Sequence, residues 1–128
     1  MSYYFSRSIT APFADAVART KAALASHGFG VLSEIDVAAT LNAKLGANLA
    51  PYLILGACNP QFAHRALLAE PKIGTMLPCN VVVREEAPGT VEIAAVDPVA
   101  SMQAVKNPAL AETAGAVGAL LKDVIAGL

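Results

Sequence analysis

Two dipeptides, Cys58-Asn59 and Cys79-Asn80, carry most of the side chains in this sequence that could do chemistry. Cys58 ends the apolar run Leu55-Gly56-Ala57, and Asn59-Pro60 opens a helical pattern. A thiol just ahead of a helix start meets unpaired N–H groups and the positive end of the helix dipole. Both favour a thiolate, the form that acts as nucleophile or metal ligand. The alternative is a small buried hydrophobe at the end of a strand. Cys79 follows Pro78 and opens a second apolar run, and the same two readings apply. Asn59 and Asn80 suit the backbone groups of their turns, and a helix start such as Asn59-Pro60 can also receive an anion.

The thiols gain interest as a pair. The helix after Cys58 carries the chain outward by roughly 16 Å, at about 1.5 Å per residue. The segment from Pro71 to Pro78 can return it, so the two cysteines can meet on neighbouring strands. A meeting would permit a reversible disulfide or a thiolate metal site. A bridge requires Cα atoms within about 7 Å.

Other ionisable residues are scattered. Glu34 and Asp36, spaced by two on an extended chain, would share a face. They read either as an acid and base or as an exposed carboxylate and a helix cap. Lys44, just before Gly46, could meet an anion or complement a helix C-terminus. His64 could serve Cys58 as a base or third ligand, or stand in solvent beside Arg65. His27 and His64 lack the paired close spacing of a zinc site, so no metal is assigned. There is no phosphate loop, serine elbow or dinucleotide fingerprint. With no complete catalytic constellation, an enzyme is the last reading rather than the first.

The elements that must position these residues follow from pattern. With 128 residues the expectation is one domain spanning residues 1–128. Apolar residues make up 55% and charged ones 15%, so polar surface is scarce and a homodimer interface is expected to cover part of the excess. The net charge of −1, with no clustered Lys or Arg, argues against nucleic acid. No uncharged run is long enough to span a bilayer. Met1 to Thr10 lacks the basic flank and apolar core of a signal peptide, so a cytoplasmic protein with reduced thiols is expected.

Tyr3 to Ile9 alternates at strand period, and Thr10 is placed to cap the helix that Pro12 opens. Phe13, Val17, Thr20 and Leu24 recur on one helical face until His27-Gly28. Phe29 to Ile35 reads as a strand. Asp36 caps a short helix, Val37 to Lys44, which Gly46 ends. Pro51 to Ala57 reads as a central strand covered on both faces or at an interface, and the helix from Pro60 runs to about Glu70. Lys72 to Leu77 reads as irregular. Cys79 to Arg84 and Thr90 to Val96 form a hairpin about Ala87-Pro88-Gly89. Asn107-Pro108 starts the last helix, whose seam is Leu110, Ala114, Val117, Leu121, Val124 and Leu128. Five strands interleaved this way with helices predict an α+β fold. Its sheet is largely antiparallel, with helices packed mainly on one face.

The motifs Gly28-Phe29-Gly30-Val31-Leu32-Ser33-Glu34-Ile35-Asp36, Leu55-Gly56-Ala57-Cys58-Asn59-Pro60, Leu77-Pro78-Cys79-Asn80-Val81 and Asp97-Pro98, in that order, resemble those of domain-of-unknown-function family 302. The resemblance covers nearly the whole chain. It implies a TATA-binding-protein-like α+β fold, a curved antiparallel sheet backed by a long C-terminal helix, and frequent dimers. It implies no established activity.

The functional expectation is a small-ligand-binding module with its site near Cys58, Asn59, Cys79 and Asn80. The alternative is redox or metal handling through Cys58 and Cys79. A third reading is a structural protein acting through its dimer surface.

Overall fold

The computed structural model describes residues 2–128. Five strands form one sheet: β1 (Tyr4–Thr10), β2 (Gly30–Asp36), β3 (Tyr52–Cys58), β4 (Cys79–Ala87) and β5 (Thr90–Val96). Their order is β1-β5-β4-β3-β2, and every neighbouring pair is antiparallel. The helices are α1 (Phe13–Ser26), α2 (Val37–Leu45), α3 (Pro60–Ala69), α4 (Pro98–Ser101) and α5 (Pro108–Ala126). The predicted α+β class, with its long C-terminal helix, is therefore the observed one.

The register explains which side chains make the core. Opposed residues of antiparallel strands lie on one face. Phe5, Ala95, Val81 and Leu55 make one row across the sheet, and Ile93, Val83 and Leu53 make another. These rows pack with Leu24 and Ala16 of α1 and with Leu121, Val124 and Ile125 of α5. Thr20 is fully buried in α1, and its hydroxyl donates to the Ala16 carbonyl at 2.7 Å. Arg7 reaches from β1 to the far end of α5, where its Nη1 donates to the Ala126 carbonyl at 2.6 Å. A cation at a helix C-terminus opposes the negative end of the dipole.

Three helix starts obey one rule. Asn59, Asp97 and Asn107 each accept a first-turn N–H through the side chain, and each is followed by proline. Proline fits the first helical position because its missing N–H has no partner there. Asp36 caps α2 in the same manner, and Gly46 ends that helix at φ 62°, a left-handed conformation suited to glycine.

Two local expectations fail. Thr10 does not cap α1; it pairs with Thr90 at the end of β1, and Pro12 stands at the cap position without a side-chain bond. The segment after α3 is not irregular but a 3₁₀ helix, Pro71–Met76. Ile73 supplies its reason, being buried at 1% exposure against Ala66 and Leu110.

Candidate functional site

Cys58 closes β3 and Cys79 opens β4. The register sets Ala57 opposite Cys79, so the two cysteines lie one position out of step on adjacent strands. Asn59 follows Cys58 and caps α3, accepting the Phe62 N–H on Oδ1 at 3.4 Å. Pro78, after a cis Leu77-Pro78 bond, approaches Gly56 of β3 so closely that a Cβ there would lie 2.7 Å from Pro78 Cγ and would overlap Ser33 Oγ.

Beside this junction lies a pocket of about 260 Å³. Its floor is Phe29, Ala57, Cys58 and Cys79, at the ends of β2, β3 and β4. One wall is α3, through Asn59, Phe62, Ala63, Ala66 and Leu67. Another is the first half of α5, through Leu110, Thr113, Ala114 and Val117, with Pro98 and Met102 beside it. Leu32, 70% exposed, is at the rim. The pocket has a structural cause. Phe29, Ala57, Cys79 and Val117 belong to the main core, while Ala66 and Leu110 belong to a second cluster with Ile73. The pocket occupies the seam between the two, where α5 runs from one cluster into the other.

No charged side chain lines this space. Burial pushes the Cys79 thiol up to about 11, and the neighbouring Cys58 thiol adds to the rise. Burial raises Cys58 as well. Desolvation thus opposes the thiolate that a helix N-terminus would favour. The local reason is visible in the cap: Cys58 stands outside the first turn, and the Phe62 N–H already donates to Asn59.

The pocket unites Cys58, Asn59 and Cys79 and leaves the other sequence candidates elsewhere. Asn80 is in an open groove on the opposite face of the sheet, with Tyr3, Tyr52, Arg84 and Glu92. There Arg84 and Glu92 pair with each other at 2.7 Å. Glu34 pairs with Lys21 of α1 at 2.9 Å, in an exposed contact worth little stability. Asp36 accepts the Ala39 N–H at 2.8 Å. Lys44 lies in the last turn of α2. His64 is exposed on α3, beside Arg65, whose guanidinium lies 5.6 Å from the Phe62 ring centre. Among the described residues no three His, Cys, Asp or Glu side chains gather as a metal site, and no helix is long and apolar enough to cross a membrane.

The residues that sequence reasoning did not assign to a site are the apolar ones: Phe29, Leu32, Phe62, Leu77, Met102, Leu110 and Val117. Their periodicity signals burial, which core and pocket residues share.

Comparison with known proteins agrees with this architecture. The model of the family described as Domain of unknown function DUF302 matches residues 5–128. The crystal structure of an uncharacterized conserved protein DUF302 from Bacillus stearothermophilus superposes with a TM-score of 0.90. It is 30% identical, and the match covers 98% of each chain. No curated protein matches the sequence.

Proposed function

We propose that this chain, which belongs to the DUF302 family, is a binding module for a small, largely apolar molecule held beside Cys58, Asn59 and Cys79. The observation that carries the reading is the pocket of about 260 Å³ between the two hydrophobic clusters. An apolar cavity of about 150 Å³ already accepts benzene, and drug-sized sites begin near roughly 300 Å³. The fitting occupant is therefore a molecule somewhat larger than a single ring. Its binding would complete apolar contacts that the protein leaves open.

The test is titration of ¹⁵N-labelled protein with butylbenzene, following backbone amide shifts. Saturable shifts centred on Phe29, Ala57, Ala63 and Val117 are expected. Ala63→Leu, which fills a half-buried position on the α3 wall, should weaken binding at least roughly tenfold, as expected when about 1.4 kcal/mol of fit is lost. Absence of saturable shifts, or shifts indifferent to Ala63→Leu in a folded variant, would refute the reading.

A second reading, thiol-based redox or metal handling, draws on the presence of both cysteines in this one pocket. The upward shift of both thiols weighs against it, because it removes the thiolate at neutral pH.

A further inference from the structure

The pocket is open at one end and closed at the other. Of its lining residues only Leu32 of β2 and Leu67 of α3 are exposed, at 70% and 44%. Leu68, 73% exposed, follows Leu67 on the helix. The mouth therefore lies between β2 and α3, and its lips are leucines that the core leaves uncovered. Pro98, Leu110, Ala114 and Val117 are all buried and close the space against α4 and α5. Exposed apolar side chains at the rim of a concave site mark where an apolar partner enters.

The wall behind the mouth is apolar nearly throughout. Apart from the two thiols its polar side chains are Asn59 and Thr113, and each is bonded to its own helix. Asn59 accepts the Phe62 N–H at 3.4 Å, and Thr113 donates to the Ala109 carbonyl at 3.2 Å. A polar group carried to the closed end would give up water for an apolar wall, which is unfavourable. At the mouth the same group keeps its water. The pocket thus sorts the two ends of a ligand. Resting on the pocket being a ligand site, we infer that its occupant is an amphiphile, its hydrocarbon end inserted between Leu32 and Leu67 towards α5 and its polar head left in solvent at the mouth. With the head outside and no charged side chain in the lining, the hydrocarbon end sets the affinity.

Probes built on butylbenzene test this by amide-shift titration at neutral pH and physiological salt. 4-Phenyl-1-butanol, 4-phenylbutanoate and 4-phenylbutylamine carry neutral, anionic and cationic heads. They should bind within about fivefold of one another, because an exposed charge is solvated and screened. 4-(4-Hydroxyphenyl)-1-butanol is polar at both ends. It should bind at least roughly tenfold more weakly than 4-phenyl-1-butanol, since one hydroxyl must enter the closed end. Leu32→Arg places a cation at the mouth, at a position exposed enough for the fold to tolerate it. It should raise the ratio of carboxylate to amine affinity at least roughly threefold.

Equal binding of the two alcohols would overturn this inference and leave the binding module standing. So would a wider spread among the three heads, a ratio unmoved by Leu32→Arg, or binding of butylbenzene alone. Failure of every probe, butylbenzene included, would refute the pocket as a ligand site, and this inference with it.

Discussion

Cys79 gives the character of the pocket a thermodynamic signature. Its residue is 8% exposed, and burial, with the Cys58 thiol adding to it, moves the Cys79 thiol from 9.0 to about 11. An acid whose pKa rises on folding stabilises the folded state fully below its unfolded pKa. The contribution is lost as pH climbs through the folded pKa, because the unfolded chain then ionises more readily. Two pH units correspond to about 2.7 kcal/mol at most. Between pH 8 and about 10.5, roughly 2 kcal/mol of it should disappear. Urea unfolding of the wild type and Cys79→Ala, both held reduced, isolates the effect. Tyrosines and lysines titrate in both proteins and largely cancel in the difference. Whatever Cys79→Ala costs at pH 8, the wild-type advantage should shrink by about 2 kcal/mol at the higher pH. A change below about 0.5 kcal/mol would refute the reasoning, since the pocket would then solvate a thiolate well. Thiol chemistry would move ahead of apolar binding in that case.

Three further predictions rest on local geometry. Reaction of native Cys79 with an aromatic disulfide at pH 8 should run at least roughly tenfold slower than that of an ordinary thiol. The thiolate fraction falls about 90-fold while nucleophilicity rises only about six- to tenfold; stopped-flow absorbance checks this, and the less buried Cys58 should react first. Gly56→Ala should destabilise by more than about 2 kcal/mol, an overpacking cost, because the new Cβ meets Ser33 and Pro78, whereas Gly115→Ala meets nothing within 4 Å and should stabilise by about 0.5–1 kcal/mol. Thermal denaturation distinguishes the two glycine variants by sign. Asn107→Ala should cost about 1–2 kcal/mol by urea unfolding, since it removes both the α5 cap and the 3.2 Å bond from Asn107 Nδ2 to the Ala69 carbonyl at the end of α3.

What could be read from the sequence was what depends on near neighbours. Asn59-Pro60 and Asn107-Pro108 announce helix starts because cap and first turn lie within three residues. Alternating Val81, Val83, Val91 and Ile93 announce a face because strand period is a local property. Thr10 misled for the same reason: its side chain suits a cap, but pairing with Thr90 held it in the strand. The 3₁₀ turn at Pro71–Met76 exists because Ile73 finds Ala66 and Leu110, a partner well over thirty positions away that no local pattern reveals.

The candidate site divides along the same line. Cys58 and Asn59 could be placed together because they are adjacent, and Cys79 joins them only through the register of β3 with β4. Glu34, Asp36, Lys44 and His64 attracted notice by residue type, yet the contacts of Glu34 and Asp36 are an ion pair with α1 and a helix cap. The pocket itself is a shortfall of packing. The α5 seam reads as one continuous stripe, Leu110 through Val124, but its ends serve different clusters, Leu110 with Ile73 and Leu121 with Leu55. Between them Ala114 contributes only a methyl group, and the pocket lies beside it. A run of apolar residues at helical spacing is the same whether the facing volume is filled or empty. Only the three-dimensional meeting of β3, β4, α3 and α5 reveals the pocket there, and that Cys58, Asn59 and Cys79 share its lining.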